Sequence, residues 1–386
     1  MTLMDDWMGP EKIVQIYDPS VGLKAFVVVD NTLMGPGAGG LRMLPDVSVE
    51  EVARLARTMT YKYGIFDMPV GGAKAGIRAD PSAQNKRLLL HSFALAISHL
   101  IEGNLYFPGP DMGTDNMDIR YIYQVVGKEK YMPSDLYLKE IDGIPFEEHI
   151  TGYGVVCAAE AGAEFAGFDF KGSTLALEGL GKVGSGVALH ASKNGAKLVA
   201  VSTVLGAIYN PDGLDVSKLL QLKKEHGDRV VLEYSDAERI PKEELFTLPV
   251  DTLVPGARPD VINSQNADNI RAKLICPGAN IPVTPEAEKI LLRKGVVSVP
   301  DFIANGGGVL TGYTEKMEDS INQSFKFVRE TVQEKTREVL EAAKSRGEVP
   351  RRVAEEIVEE KIRRALKRRR KRIEKAVEKL KTQLHT

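Results

Sequence analysis

The chain has 386 residues, enough at roughly 150 residues per domain for two domains and a sizeable buried core. Its 43% hydrophobic and 27% charged residues exclude a disordered or collagen-like chain. Fifty-one Lys and Arg against 53 Asp and Glu leave a formal net charge of -2, which argues against a dedicated nucleic-acid binder, and two cysteines, Cys157 and Cys276, cannot build a disulfide scaffold or a cysteine-rich zinc site.

The opening residues, Met1 to Trp7, lack the basic-then-apolar pattern of a signal peptide. No apolar run reaches the ~18 residues of a membrane span. The expectation is a cytoplasmic protein without a bound metal. Further on, residues 26–30 (FVVVD) are rich in β-branched side chains and read as a strand, followed by the glycine-rich stretch 35–40. Ser48 and Glu51 form a capping-box pattern opening a helix with Val52, Leu55, Ala56 and Met59 at helical spacing. A second helix is predicted over 88–100.

From about 150 to 310 the texture becomes strand, glycine turn, helix, strand. Strands are predicted at 173–177, 197–202, 252–254, 274–276 and 296–299, with a helix at 183–194. Apolar strands alternating with helices imply a parallel sheet covered on both faces. After residue 314 charge dominates, and helices broken near Gly347–Pro350 are expected. In the last of these Ile362, Leu366, Ile373, Val377, Leu380 and Leu384 make an apolar stripe. Nine of the twelve residues from Lys361 to Arg372 are basic. With acids at Glu355, Glu356, Glu359 and Glu360 nearby, this run reads as a solvated face or subunit contact rather than a nucleic-acid site.

Four motifs carry chemistry. Gly179, Gly181 and Gly184 make a GxGxxG turn between a predicted strand and helix, with Lys182 and Val183 inside it. A dinucleotide pyrophosphate needs backbone N–H groups at a helix N-terminus and a turn free of side chains, so NAD or NADP is expected. The bland alternative is a tight turn with nothing bound. The next strand ends at Thr203, where an acid would grip the ribose 2′-hydroxyl; its absence tilts the expectation toward NADP.

Lys62 and Lys74 form the second motif, the latter set among Gly71, Gly72 and Gly76. One lysine can bind a carboxylate, and a buried one can act as a base near neutral pH; the bland alternative is two solvated side chains. Asp111, in a Pro/Gly setting after Gly109, is a candidate proton carrier or a turn residue. Ala279, Asn280 and Asn305 follow predicted strands, where the nicotinamide end of a cofactor would lie.

In combination these motifs resemble the glutamate/leucine/phenylalanine/valine dehydrogenase superfamily. Residues 18–25, 35–43, 151–155 and 349–362 look most like the leucine/phenylalanine branch, whereas 68–77 and 209–214 look more like glutamate dehydrogenases. The resemblance implies an α/β chain with an N-terminal catalytic domain (1–140), a doubly wound Rossmann domain (141–313) and C-terminal helices (314–386) packing on the catalytic domain. It also implies substrate binding between the domains and a homo-oligomer. The implied activity is reversible oxidative deamination of an L-amino acid to a 2-oxo acid and ammonia.

By the same resemblance, Lys62 holds the substrate α-carboxylate with Gly72 nearby, Lys74 activates water, and Asp111 transfers a proton. Thr151, Asn280 and Asn305 lie near the nicotinamide and the substrate's polar head. Ala38, Gly109, Val309 and Gly312 line the side-chain pocket. Glutamate dehydrogenases usually carry a lysine at Ala38 and a serine at Gly312, and Pro277 and Gly306 also depart from their pattern. An unpaired buried carboxylate costs several kcal/mol, so an apolar or aromatic substrate is expected, with glutamate as the alternative. A catalytically silent regulatory or scaffold relative is the alternative of another class.

Overall fold

The computed structural model describes residues 6–315, 317 and 319–384. The first five residues of the opening segment and the side chain of Leu384 lie outside the described residues. The chain divides into two compact units, one of residues 1–133 and 355–386, the other of 134–354.

The first unit is built on a five-stranded sheet of order β1-β2-β4-β3-β5. Its strands are β1 (Lys12–Asp18), β2 (Leu23–Val29), β3 (Gly37–Met43), β4 (Gly71–Ile77) and β5 (Phe107–Pro110). β3 is parallel to both β4 and β5, and β2 is antiparallel to β4. The glycine cluster read as a stretch following a strand is itself the interior strand β3. A Cβ on Gly39 would stand 1.8 Å from the Ala73 carbonyl oxygen, so only glycine permits that approach.

The same N-terminal stretch carries the helices α1 (Val49–Ile65), α2 (Lys86–Glu102) and α3 (Asn116–Val125). Ser48 caps α1 as its sequence predicts, accepting from the Glu51 N–H at 3.2 Å. Leu90, Phe93 and Ile97 of α2 pack with Ile119 and Tyr123 of α3 and Val27 and Leu41 of the sheet. Burial of each such side chain stabilises by roughly 1.5–3 kcal/mol.

The second unit holds a small hairpin, β6 (Glu140–Ile141) and β7 (Ile144–Pro145), and the long helix α4 (Phe146–Ala166). The GxGxxG stretch joins β8 (Thr174–Glu178) to α5 (Lys182–Lys193), and β9 (Lys197–Thr203) follows. β10 (Gly206–Tyr209), α6 (Val216–His226), α7 (Val230–Glu233), β11 (Glu238–Ile240) and β12 (Thr252–Pro255) continue the chain. Then come β13 (Leu274–Ile275), α8 (Pro285–Arg293), β14 (Val297–Ser298), α9 (Asp301–Ala304), α10 (Gly307–Leu310), α11 (Ser320–Arg346) and α12 (Pro350–Leu384).

The sheet order is β11-β10-β9-β8-β12-β13-β14, parallel from β9 to β14. The expected all-parallel sheet instead gains an antiparallel edge, because the chain reverses at Val204 and Leu205 and pairs Gly206 with Thr203. The helical tail expected as one segment is shared: α11 lies with α4 in the second unit, whereas α12 belongs to the first from Glu355 onward. Among the described residues, no helix is long and apolar enough to cross a membrane.

Between α4, α5 and α11, His149 and His190 are buried with His190 Nε2 3.1 Å from His149 Nδ1, and Phe325 packs on both rings. Burial, followed by the charges of His149 and Lys193, lowers the His190 pKa to about 3, against about 6.5 for a free imidazole. A depressed histidine pKa contributes stability that is fully present above the unfolded value and is lost as pH falls from about 6.5 toward the folded value. In thermal melts, His190→Gln should therefore lose its disadvantage relative to wild type between pH 7.5 and 4.5; a constant gap in Tm would show that this site does not titrate in that window.

Candidate active site

The first unit brings Lys74 and Asp111 together. Lys74 lies in the middle of β4, buried on an interior strand rather than solvated, and Asp111 follows the last residue of β5. Their contact, Lys74 Nζ to Asp111 Oδ2, is 3.1 Å. Gly40 on β3 leaves room for the pair, since a Cβ there would stand 2.7 Å from Asp111 Cβ and 3.0 Å from Lys74 Nζ. The turn at Asp111 is pinned by Thr114, whose hydroxyl accepts from the Asp111 N–H at 3.1 Å and donates to the Leu41 carbonyl at 2.7 Å.

A third charged group completes the cluster. Arg42 Nε donates to the same Asp111 Oδ2 at 2.9 Å, and its Nη1 pairs with Glu51. Burial pushes the Asp111 pKa up, but the charges of Lys74 and Arg42 outweigh it and hold it down to about 2. Asp111 is thus ionised at neutral pH. Sequence reasoning did not place Arg42 and Glu51 beside the aspartate, because strand pairing alone brings residue 42 next to residue 111.

Lys62 is buried in the last turn of α1. Gly72 on β4 lets that helix approach the strand, since a Cβ would lie 2.2 Å from Thr60 Oγ1 and 2.4 Å from the Ala56 carbonyl. Ala38 pairs with Gly72 and with Phe107 across the sheet. A Cβ on Gly109 would meet nothing within 4 Å.

The second unit carries the remaining positions. Gly179 has φ of +89°, and a Cβ on Gly184 would stand 2.0 Å from the Gly179 carbonyl, so the turn requires both glycines. A Cβ on Gly181 would meet nothing, which leaves the N-terminus of α5 open to an anion. Lys182 lies 3.2 Å from Glu148, and Val183 is the next residue of the helix. Thr203 ends β9 with its hydroxyl engaged, donating to the Asp228 carbonyl at 2.8 Å and accepting from the Leu205 N–H at 3.2 Å.

A second group gathers around Asn305, which is buried after α9. Its Nδ2 donates to the Ala279 carbonyl at 3.0 Å and to Asn280 Oδ1 at 3.1 Å, while its own Oδ1 is buried without a partner. An unpaired buried acceptor is costly, and a donor on a bound carboxamide or amine satisfies it. A Cβ on Gly308 would be 2.7 Å from Thr151 Oγ1, and one on Gly307 2.3 Å from the Ile150 carbonyl, so these glycines seat Asn305 against α4. Val309 lies half-buried in α10, and Gly312 is exposed in the turn after it. The turn, the open helix end and the unpaired Asn305 acceptor fit a nicotinamide dinucleotide.

The sequence model described as Glutamate/Leucine/Phenylalanine/Valine dehydrogenase matches residues 143–379, and that of the Glu/Leu/Phe/Val dehydrogenase dimerisation domain matches 10–128. Glutamate dehydrogenase of Thermotoga maritima is 41% identical over 312 residues, 77% of this chain and 73% of that one. The NADP-specific glutamate dehydrogenase of Saccharolobus shibatae is 34% identical over 321 residues, 79% of this chain and 75% of its own. Among solved structures, the hetero-hexameric glutamate dehydrogenase from Thermus thermophilus in its Leu-bound form superposes with a TM-score of 0.82 at 30% identity, covering 93% of this chain and 90% of that one. L-tryptophan dehydrogenase from Nostoc punctiforme gives a TM-score of 0.65 at 26% identity over 93% and 97% of the two chains. The chain belongs to the glutamate/leucine/phenylalanine/valine dehydrogenase family, NAD(P)-dependent oxidoreductases acting on the CH–NH2 group of amino acids.

Proposed function

We propose that the protein catalyses the reversible oxidative deamination of an L-amino acid to its 2-oxo acid and ammonia, with Lys74 and Asp111 as the catalytic pair. The observation that carries this reading is the buried 3.1 Å contact between them on the ends and centre of parallel strands. Asp111, ionised across the physiological range, takes a proton from the substrate's ammonium group. Lys74 in its neutral form takes a proton from the water that attacks the imino carbon, and as an ammonium it stabilises the oxygen that forms there. Lys62 binds the α-carboxylate. The dinucleotide, when bound, supplies the hydride acceptor. Gly179, Gly181, Lys182 and Gly184 hold its pyrophosphate, and Thr151, Asn280 and Asn305 orient its nicotinamide.

L-Glutamate is the substrate that the relatives support, since those with 41% and 34% identity are glutamate dehydrogenases. This favours the alternative over the apolar substrate expected from the sequence. One observation still speaks for the apolar reading: Ala38 offers no cation, and Arg42 is held by Asp111 and Glu51 and is not available to a second carboxylate. For the cofactor we favour NADP, because Thr203 presents no carboxylate to repel a 2′-phosphate and the Saccharolobus relative is NADP-specific. We also infer an oligomer, because residues 10–128 match a dimerisation domain.

Two measurements check these assignments. Lys74→Ala and Asp111→Asn should each lower kcat by the ~10²–10⁴-fold of a lost acid–base group while the dinucleotide still binds; near-wild-type turnover in both would remove the pair from the mechanism. In a panel of amino acids with both cofactors, kcat/KM for glutamate should exceed that for leucine, phenylalanine and tryptophan by more than about tenfold, equivalent to ~1.4 kcal/mol. The reverse order would establish the apolar pocket, and Ala38→Lys should then raise the glutamate value. No turnover with any amino acid would favour a regulatory relative.

A further inference from the structure

Glu51 sits where a capping box would send its carboxylate back to the N–H of Ser48. The Ser48 half of the box forms, but the Glu51 carboxylate goes instead to Arg42. Arg42 is almost wholly buried, its side chain 5% exposed, and it bridges two carboxylates, Glu51 on one side and Asp111 Oδ2 on the other. Lys74 Nζ meets that same Oδ2, and Asp111 Oδ1 takes neither bond. Two cations and two anions therefore balance in one cluster, drawn from α1, β3, β4 and the end of β5.

Resting on the catalytic reading of Lys74 and Asp111, we propose that Glu51 is a positioning residue that acts through Arg42. It holds the guanidinium against Asp111 Oδ2, leaving Oδ1 to the substrate, and it cancels the positive charge that Arg42 would otherwise impose on the catalytic pair. Two other titratable groups on the flanking elements, Tyr106 and Asp118, do not supply this balance. Tyr106, before β5, has its pKa raised by burial, then by Tyr123 and Asp111, and is neutral. Asp118 on α3 is paired with Lys86 of α2 at 2.7 Å. Without Glu51 the cluster carries a net positive charge, and both Asp111 and Lys74 release their protons at lower pH.

Glu51→Gln keeps the side chain's shape and removes its charge; Glu51→Asp keeps the charge. The side chain is 30% exposed in the first turn of a helix, a setting that tolerates both changes. The ascending limb of the kcat/KM pH profile for deamination should move down by about half a unit or more in Glu51→Gln, with kcat falling severalfold as the acceptors become weaker bases. It should stay at the wild-type position in Glu51→Asp. In ¹³C-lysine NMR of the full chain, with Lys74→Ala assigning the signal, Lys74 should titrate at lower pH in Glu51→Gln.

Superimposable profiles and an unmoved Lys74 titration would overturn the proposal, as would an equal shift in both variants. A loss of rate without a shift would reduce Glu51 to a structural contact and also overturn it. Asp111→Asn separates the two levels: if that variant keeps full turnover, the catalytic reading fails; if it is crippled while Glu51→Gln shows no shift, only the role of Glu51 fails.

Discussion

The first unit depends on burying a charge cluster at the edge of its parallel strands. Isolated buried ions cost several kcal/mol each, and only pairing with good geometry offsets that cost. Lys74, Asp111, Arg42 and Glu51 meet the condition by alternating sign, with Asp111 Oδ2 shared by two cations. The backbone must yield space for this arrangement. Gly40 leaves the volume beside Asp111 and Lys74, Gly39 lets β3 approach β4, and Gly72 lets α1 approach β4. The glycines and the charges are thus one structural decision: larger residues at these positions would separate the strands whose contact brings residues 42, 74 and 111 together.

The second unit solves a different problem with the same residue. A dinucleotide has to approach backbone N–H groups closely, and glycine lines the carboxyl ends of β8, β12 and β13. A Cβ on Gly256 would stand 2.7 Å from the Glu178 carbonyl, and one on Gly278 3.4 Å from Gly256 Cα. The Glu178 carboxylate fastens this edge by accepting from the Gly256 and Ala257 N–H groups at 2.9 and 2.8 Å. Rigidity at the edge leaves the Asn305 acceptor in place and unpaired, a local cost of the kind that binding relieves.

The sequence was most legible where one residue type has one physical use. The GxGxxG turn, the cap at Ser48, and the strands around 173–177 and 197–202 all follow from local rules. It was least legible where distant residues converge. The glycine-rich stretch at 35–40 was not assigned to a strand because strands are normally poor in glycine, yet Gly37–Met43 is an interior strand. α4 was not anticipated because glycine and small residues dilute its helical pattern. The antiparallel edge β10–β11 was missed because short strands leave little periodicity. Arg42 and Glu51 join the site through strand pairing and a diverted cap, which no spacing in the sequence encodes.

These constraints also explain why family and substrate differ in legibility. Lys74, Asp111 and Arg42 are fixed by burial and shared ion pairs, so a change among them alters the charge balance of the whole cluster. The positions proposed for substrate side-chain recognition are different in kind. Gly109 would accept a side chain without contact, and Gly312 is exposed, so substitutions there cost the fold little. On the proposed reading, reaction type is therefore written into the parts of the chain that packing constrains most. Substrate choice, on the same proposed reading, rests on positions that packing leaves free, and a single cation in place of Ala38 would be worth enough to reverse the preference between a carboxylate and an apolar side chain.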